Sequence, residues 1–171
     1  MTNLQLLQQK ILPLNSLEKV IAGLRKQDAK VVFTNGCFDI LHRGHLEYLA
    51  AASDEGDILV VGLNSDDSVK RQNKGPERPI NNENSRAFIL AGLAVVDFVV
   101  VFDEDTPYNL IESLVPDVLV KGGDYSVEVR DENSKQYIVG SDIVLANHGI
   151  VKTIDLVDGF STTNIINKIK E

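Results

Sequence analysis

The chain is short of what marks several protein classes. Among its 171 residues there is one cysteine, one methionine and no tryptophan. Cys37, being alone, closes no internal bridge, so the fold must rest on a packed core, and a reducing cytoplasm is the expected compartment. No charged-then-apolar leader follows Met1. Seventeen basic side chains against twenty-five acidic ones leave a net charge of −8. That balance argues against a protein that gathers nucleic acid or anionic membrane by bulk attraction, so any phosphate it binds is captured locally. The longest apolar stretch, residues 87–102, is broken by Gly92 and Asp97 and is too short to span a bilayer. There is no G-x-x-x-x-G-K-[ST] loop, no G-x-G-x-x-G turn and no Gly-x-Ser-x-Gly elbow. P-loop NTPases, dinucleotide dehydrogenases and elbow-type hydrolases therefore lack their expected machinery here.

What is present is a globular composition, 43% hydrophobic and 25% charged, in a chain with room for one main domain. Residues 1–29 carry two helical patterns separated by Pro13, the second with an Asn15-Ser16 start signal, and read as an extension that covers a sheet edge or serves a dimer. From residue 30 to 171, short β-branched runs alternate with amphipathic stretches. The runs are Val31-Val32-Phe33, Ile58-Leu59-Val60-Val61, Phe98-Val99-Val100-Val101, Val118-Leu119-Val120 and Val151-Lys152-Thr153-Ile154. Runs apolar on both faces suit parallel strands covered by helices. The spacing predicts helices over 44–53, 82–93, 106–114, 137–148 and 161–169, with Thr106-Pro107 as a capped start, and polar loops over 64–81 and 122–135. The expected fold is α/β: a Rossmann-like, doubly wound parallel sheet of about five strands, whose ligands sit beyond the carboxyl ends of the strands.

The segment after the first strand, Thr34 through His45, is the most informative. Two of the three histidines, His42 and His45, stand three apart where a strand hands over to a helix. At that spacing both rings reach one side of the first turn, beside unpaired N–H groups, and Gly44 lets backbone approach a bound group. Such a site holds a phosphate while charge grows on it. A metal reading from Asp39, His42 and His45 ranks below this, since no cysteine cluster or third well-placed histidine supports it. Cys37 reads as a small buried apolar residue rather than a nucleophile. A second helix-start anion site opens at Ser161, Thr162 and Thr163. Lys70, Arg71 and Lys74 form a basic cluster beyond the second strand, where a flexible lysine can neutralise developing charge, and paired glycines after Lys121 permit close approach of a ribose or base. Asp39, Asp66 and Asp124 are candidates to orient ribose hydroxyls or help hold a magnesium ion.

The pattern Gly36-x-Phe38-Asp39-x-x-His42-x-Gly44-His45 resembles the signature of the HxGH nucleotidylyltransferase superfamily, which joins an NTP to a phosphorylated small molecule and releases pyrophosphate. Three further stretches, Asn64-Ser65-Asp66, Val120 through Tyr125 and Gly159 through Ile166, make the chain similar to the adenylyltransferases that convert heptose 1-phosphate and ATP to ADP-heptose for lipopolysaccharide or other surface glycans. The resemblance implies His42, His45, Lys70, Ser161 and Thr162 as catalytic residues. It implies nucleotide contacts from Asn35, Gly36, Cys37, Phe38, Asp39, Gly44, Asn64, Asp66, Arg86, Lys121, Gly122, Asp124 and Thr163, with Mg2+ travelling on ATP and no metal ligand assigned to the protein. It further implies a separate sugar kinase upstream; a homodimer is the expected assembly. Two other readings stand beside it: a cytidylyltransferase acting on glycerol 3-phosphate or another small phosphate, and a nucleotide-binding module without turnover.

Overall fold

The computed structural model describes residues 1–73, 75–155, 157 and 159–170. The elements run α1 (Asn3–Gln9), α2 (Leu14–Arg25), β1 (Val31–Gly36), α3 (Arg43–Ser53), β2 (Ile58–Asn64), α4 (Asp66–Arg71), α5 (Glu83–Ala91), β3 (Phe98–Phe102), α6 (Tyr108–Leu114), β4 (Val118–Gly122), α7 (Ser141–Ala146), β5 (Ile150–Ile154) and α8 (Thr162–Lys170). The strands pair in parallel in the order β3-β2-β1-β4-β5. Strand order reverses between β1 and β4, and a crevice opens there at the carboxyl ends.

Alternation within the strands explains why both faces are covered. Val32, Leu59, Val61 and Val99 point to one face, where Leu49 and Ala52 of α3 and Ala87, Leu90 and Ala91 of α5 pack. Val31, Phe33, Val60 and Val100 point to the other, against Leu17 and Ile21 of α2, Leu110, Ile111 and Leu114 of α6 and Val144 of α7. Burying a Leu, Ile, Val or Phe side chain contributes about 1.5–3 kcal/mol, so these two layers carry the fold. The N-terminal segment covers the β3 edge: Ile11 bridges Val99, with Val99 N donating to Lys10 O (2.8 Å) and Leu12 N to Val99 O (3.0 Å). Lys10 Nζ then caps Val96 O at 2.7 Å. An otherwise open row of strand N–H and C=O groups is thereby used.

The structure corrects several element boundaries. The stretch 64–81 is not all loop, because Asp66–Arg71 forms a helix capped by Ser65 Oγ, which accepts from Ser68 N at 3.0 Å. Acids in its first turn and bases in its last suit the helix dipole, but Val69 alone is apolar between Asp66 and Arg71, so no period shows in the text. The helix expected over 137–148 shortens to Ser141–Ala146, because Gly140 turns left-handed at φ 81° with its Cα against Ile111. Neither Asn15-Ser16 nor Thr106 caps its helix: α2 starts at Leu14 behind Pro13, and α6 at Tyr108 behind Pro107, without side-chain caps.

Candidate active site

The β1–α3 connection brings Phe38 against two histidines. Phe38 adopts φ 43°, left-handed for a residue with a β-carbon, and its ring meets His45 edge-on at 5.3 Å between centroids. That conformation costs of order 1–3 kcal/mol and is held by the surrounding packing. His42 is the N-cap of α3, and its Nδ1 accepts from His45 N at 3.4 Å. A ring that accepts through Nδ1 carries its proton on Nε2 when neutral, so His42 has an N–H left to donate. The two imidazoles stack at 3.8 Å with 16° between planes. Burial first, and then His42 beside it, push the His45 pKa down to about 4, with the Ile40 carbonyl acting the other way; burial also lowers His42. Both rings are therefore neutral near pH 7. His45 Nδ1 is buried with no hydrogen-bond partner among the described residues.

The second helix start lies against the first. Ser161 Oγ accepts from Asn164 N at 3.0 Å, and Thr162 Oγ1 donates to Ile40 O at 3.3 Å. Gly44 permits the approach: a β-carbon there would sit 3.1 Å from Phe160 Cβ and 3.2 Å from the His42 ring. The glycine thus serves helix-to-loop packing as well as leaving backbone open to a ligand.

Between these starts and the sheet edge is a cavity of about 350 Å3, lined by Asn35, Gly36, Cys37, Phe38, His42, Gly44, His45, Asn64, Lys121, Gly122, Asp124, Ser161 and Thr162. All thirteen are residues singled out in the sequence. Lys121, buried at the end of β4, donates from Nζ to Asn35 Oδ1 at 2.8 Å and lies 5.0 Å from the centroid of the Tyr125 ring. Tyr48, Gln72, Tyr125, Val157 and Phe160 also line the cavity and were not singled out. Tyr125 and Phe160 lie inside the stretches that carry the resemblance, whereas no motif marks Tyr48, Gln72 or Val157. Cys37 is half-buried at the cavity, not enclosed in the core, with Sγ 3.2 Å from Gln72 Oε1.

Six other described residues singled out do not line it. The buried Asp39 carboxylate binds Arg78 Nε (2.5 Å), Ile80 N (2.9 Å) and Asn81 N (2.9 Å). Arg86 is 1% exposed, and its guanidinium donates to Cys37 O (2.7 Å), Asn64 O (2.9 Å), Asn81 O (2.9 Å) and Asp66 Oδ1 (2.7 Å). Placed so, Asp39, Asp66 and Arg86 tie the loops beneath the cavity rather than facing it. Lys70 is exposed on α4, paired with Asp67 at 2.9 Å, which raises the lysine pKa through that hydrogen bond. Arg71 pairs with Asp105 at 2.6 Å, and Lys74 lies outside the described residues. Thr163 is exposed one residue into α8.

Fold and cavity define the class: an α/β domain whose crevice at a strand-order reversal is lined by two helix starts and a pair of imidazoles. A family model described as Cytidylyltransferase-like matches residues 33–168, and the chain belongs to that family; it is a nucleotidyltransferase. The chain is 55% identical over 154 residues to the bifunctional protein HldE of Syntrophotalea carbinolica, and 54% over 164 residues to that of Campylobacter concisus. These alignments cover 90% and 96% of this chain but 30% and 32% of the relatives, so the chain spans about a third of their length. Among solved structures, the lipopolysaccharide core biosynthesis protein from Thermoplasma volcanium matches with a TM-score of 0.56 and 29% identity, over 75% of this chain and 97% of that one. The pantoate-beta-alanine ligase from Francisella tularensis shares the fold at a TM-score of 0.60 and 16% identity, over 94% of this chain and 76% of that one. Among the described residues, no helix is long and apolar enough to cross a membrane.

Proposed function

We propose that the chain transfers AMP from ATP to D-glycero-D-manno-heptose 1-phosphate, giving ADP-heptose and pyrophosphate. The observation that carries this reading is the stacked His42–His45 pair at the start of α3, lining one cavity with the start of α8. An oxygen of the sugar phosphate attacks the α-phosphorus in line, and the bond to the pyrophosphate oxygen breaks. Charge on the non-bridging oxygens meets the backbone N–H groups of the two helix starts, the His42 N–H and the hydroxyl of Ser161, joined by that of Thr162 once it leaves the Ile40 carbonyl. Because the imidazoles are neutral, they act as hydrogen-bond donors, and Lys121 brings the full positive charge. In this reading Lys70, whose exposed pair with Asp67 must open first, neutralises charge developing on the α-phosphate. Asp39, Asp66 and Arg86 hold the loops in register, and Asn35, Asp124 and Thr163 contact the nucleotide or its ribose, with Asn64 at the β2 end of the same cavity.

The residues present fit Mg2+ as a companion of the triphosphate. No three His, Cys, Asp or Glu side chains among the described residues are grouped to hold a metal, and Asp124 is the carboxylate among the residues lining the cavity. Asp124 would hold the ion alongside phosphate oxygens and water, and the ion, when bound, neutralises triphosphate charge. A sugar kinase activity supplies the acceptor in this reading, and the chain works as a cytoplasmic homodimer.

The test is pyrophosphate release over a panel of phosphorylated acceptors with each of the four NTPs. Sugar 1-phosphate with ATP is the expected pair. A second reading is favoured by the family description itself: CTP with glycerol 3-phosphate, which the same panel would reveal. Binding without turnover of any pair would mark a non-catalytic module.

A further inference from the structure

The cavity runs along the carboxyl edge of the sheet. Ser161 follows β5, Lys121 lies in β4, His42 follows β1 and Asn64 ends β2. Two substrates must meet at one phosphorus, one on each side of it. The triphosphate is drawn to the side where two helix starts and a lysine converge, which spans β1, β4 and β5. The acceptor is left with the β2 side.

That side is chemically different. Its wall is made of Asn64 with Gln72, the C-cap of α4, and Cys37, and none of the three carries a formal charge as an amide or thiol. The Cys37 thiol donates to Gln72 Oε1 at 3.2 Å, and Asn64 Nδ2 donates to Ser68 Oγ at 3.0 Å. With the oxygen of Gln72 engaged by the thiol, its NH2 is the end left to donate. With the NH2 of Asn64 engaged by Ser68, its carbonyl oxygen keeps acceptor capacity, the Cys37 sulfur lying 4.0 Å away. A donor beside an acceptor is the complement of a hydroxyl, which both accepts and donates.

We infer that Gln72 is a specificity-determining residue that hydrogen-bonds a ring hydroxyl of the acceptor sugar, with Cys37 fixing the orientation of its amide. The inference rests on the proposed function and names the residue that reads the acceptor. A site built to bond a hydroxyl rejects an acceptor that lacks it, because the amide is left unpaired.

The experiment compares wild type, Gln72→Met, Gln72→Glu and Cys37→Ser in initial rates with ATP and either heptose 1-phosphate or its singly deoxygenated analogues, with thermal unfolding as a folding check. Gln72→Met should raise the acceptor KM roughly tenfold, the size of one neutral hydrogen bond, while the ATP KM stays near the wild-type value. One deoxy analogue should be poor for wild type yet no poorer for Gln72→Met. Gln72→Glu, which keeps the acceptor for the thiol and loses the donor, should lose the same discrimination. Cys37→Ser, whose hydroxyl donates to the same oxygen, should retain the discrimination against that analogue, whatever its overall rate. An unchanged acceptor KM, or equal rises in both KM values, overturns the inference while leaving the proposed function standing. Wild-type turnover confined to a non-sugar acceptor overturns both.

Discussion

Lys121 Nζ donates to Asn35 Oδ1 at 2.8 Å, joining the ends of β4 and β1 across the point where strand order reverses. The lysine is buried, lines the cavity and lies over the Tyr125 ring, so its charge is held in place rather than swept around by solvent. Removing it should weaken ATP binding. For Lys121→Met we expect the ATP dissociation constant, read by calorimetry, to rise about 10- to 100-fold, the worth of a charged hydrogen bond. Lys121→Arg should recover part of it. Unchanged affinity in Lys121→Met would place the triphosphate elsewhere.

Arg86 should behave as a structural residue in stability measurements. Its guanidinium satisfies three carbonyls and a carboxylate from four separated positions. Arg86→Ala leaves these buried groups without a donor, at a cost of about 3–5 kcal/mol. The melting temperature should fall by roughly 10 °C in a chain of this size, and Arg86→Lys should rescue little because an ammonium cannot reproduce the fork. A normal melting curve with a raised ATP KM would instead mark direct phosphate contact.

Gly44→Ala tests how closely the helix starts must approach. The new methyl would stand 3.1 Å from Phe160 Cβ and 3.2 Å from the His42 ring, so the α8 entry or the imidazole must shift. Overpacking of this kind costs about 1–3 kcal/mol, and displacement at a reacting centre costs rate. Turnover should drop at least about tenfold while the folded fraction at 25 °C stays high. A variant with wild-type rate would show that the spacing is not critical.

The pH dependence of stability has a definite sign. His45 has a folded pKa near 4, below its ordinary 6.5, and His42 is also lowered. The unfolded chain therefore binds more protons in this window, and stability is present above about pH 6.5 and lost as pH falls toward 4. Melting temperatures measured between these limits should fall with acid, and His45→Gln should flatten the slope. An equal slope in that variant would assign the acid loss to other groups.

Much of this architecture is legible in the text of the chain, and the reasons it stops being legible are physical. All five β-branched runs are strands: four are apolar on both faces and have few other places to go, and the fifth, Val151 through Ile154, is an edge strand. The short helix α4 hides because one apolar residue sets no period, and Gln72 at its end hides with it. Arg86 reads as a nucleotide contact until the backbone at 37, 64 and 81 is seen to bring its carbonyls to it. The His42–His45 spacing announces a shared face, yet neither the stacking nor the low His45 pKa can be read before burial is known. Phe160 and Tyr125 sit in stretches that carry the resemblance, but only tertiary packing shows that they line the cavity.

The account depends most on the paired imidazoles acting at the transferred phosphate. The rate of pyrophosphate release from ATP and heptose 1-phosphate should be compared between wild type and His45→Ala, with the melting curve of each recorded. We expect turnover to fall by about 10²–10³ while the variant remains folded. Wild-type turnover in folded His45→Ala would contradict the account.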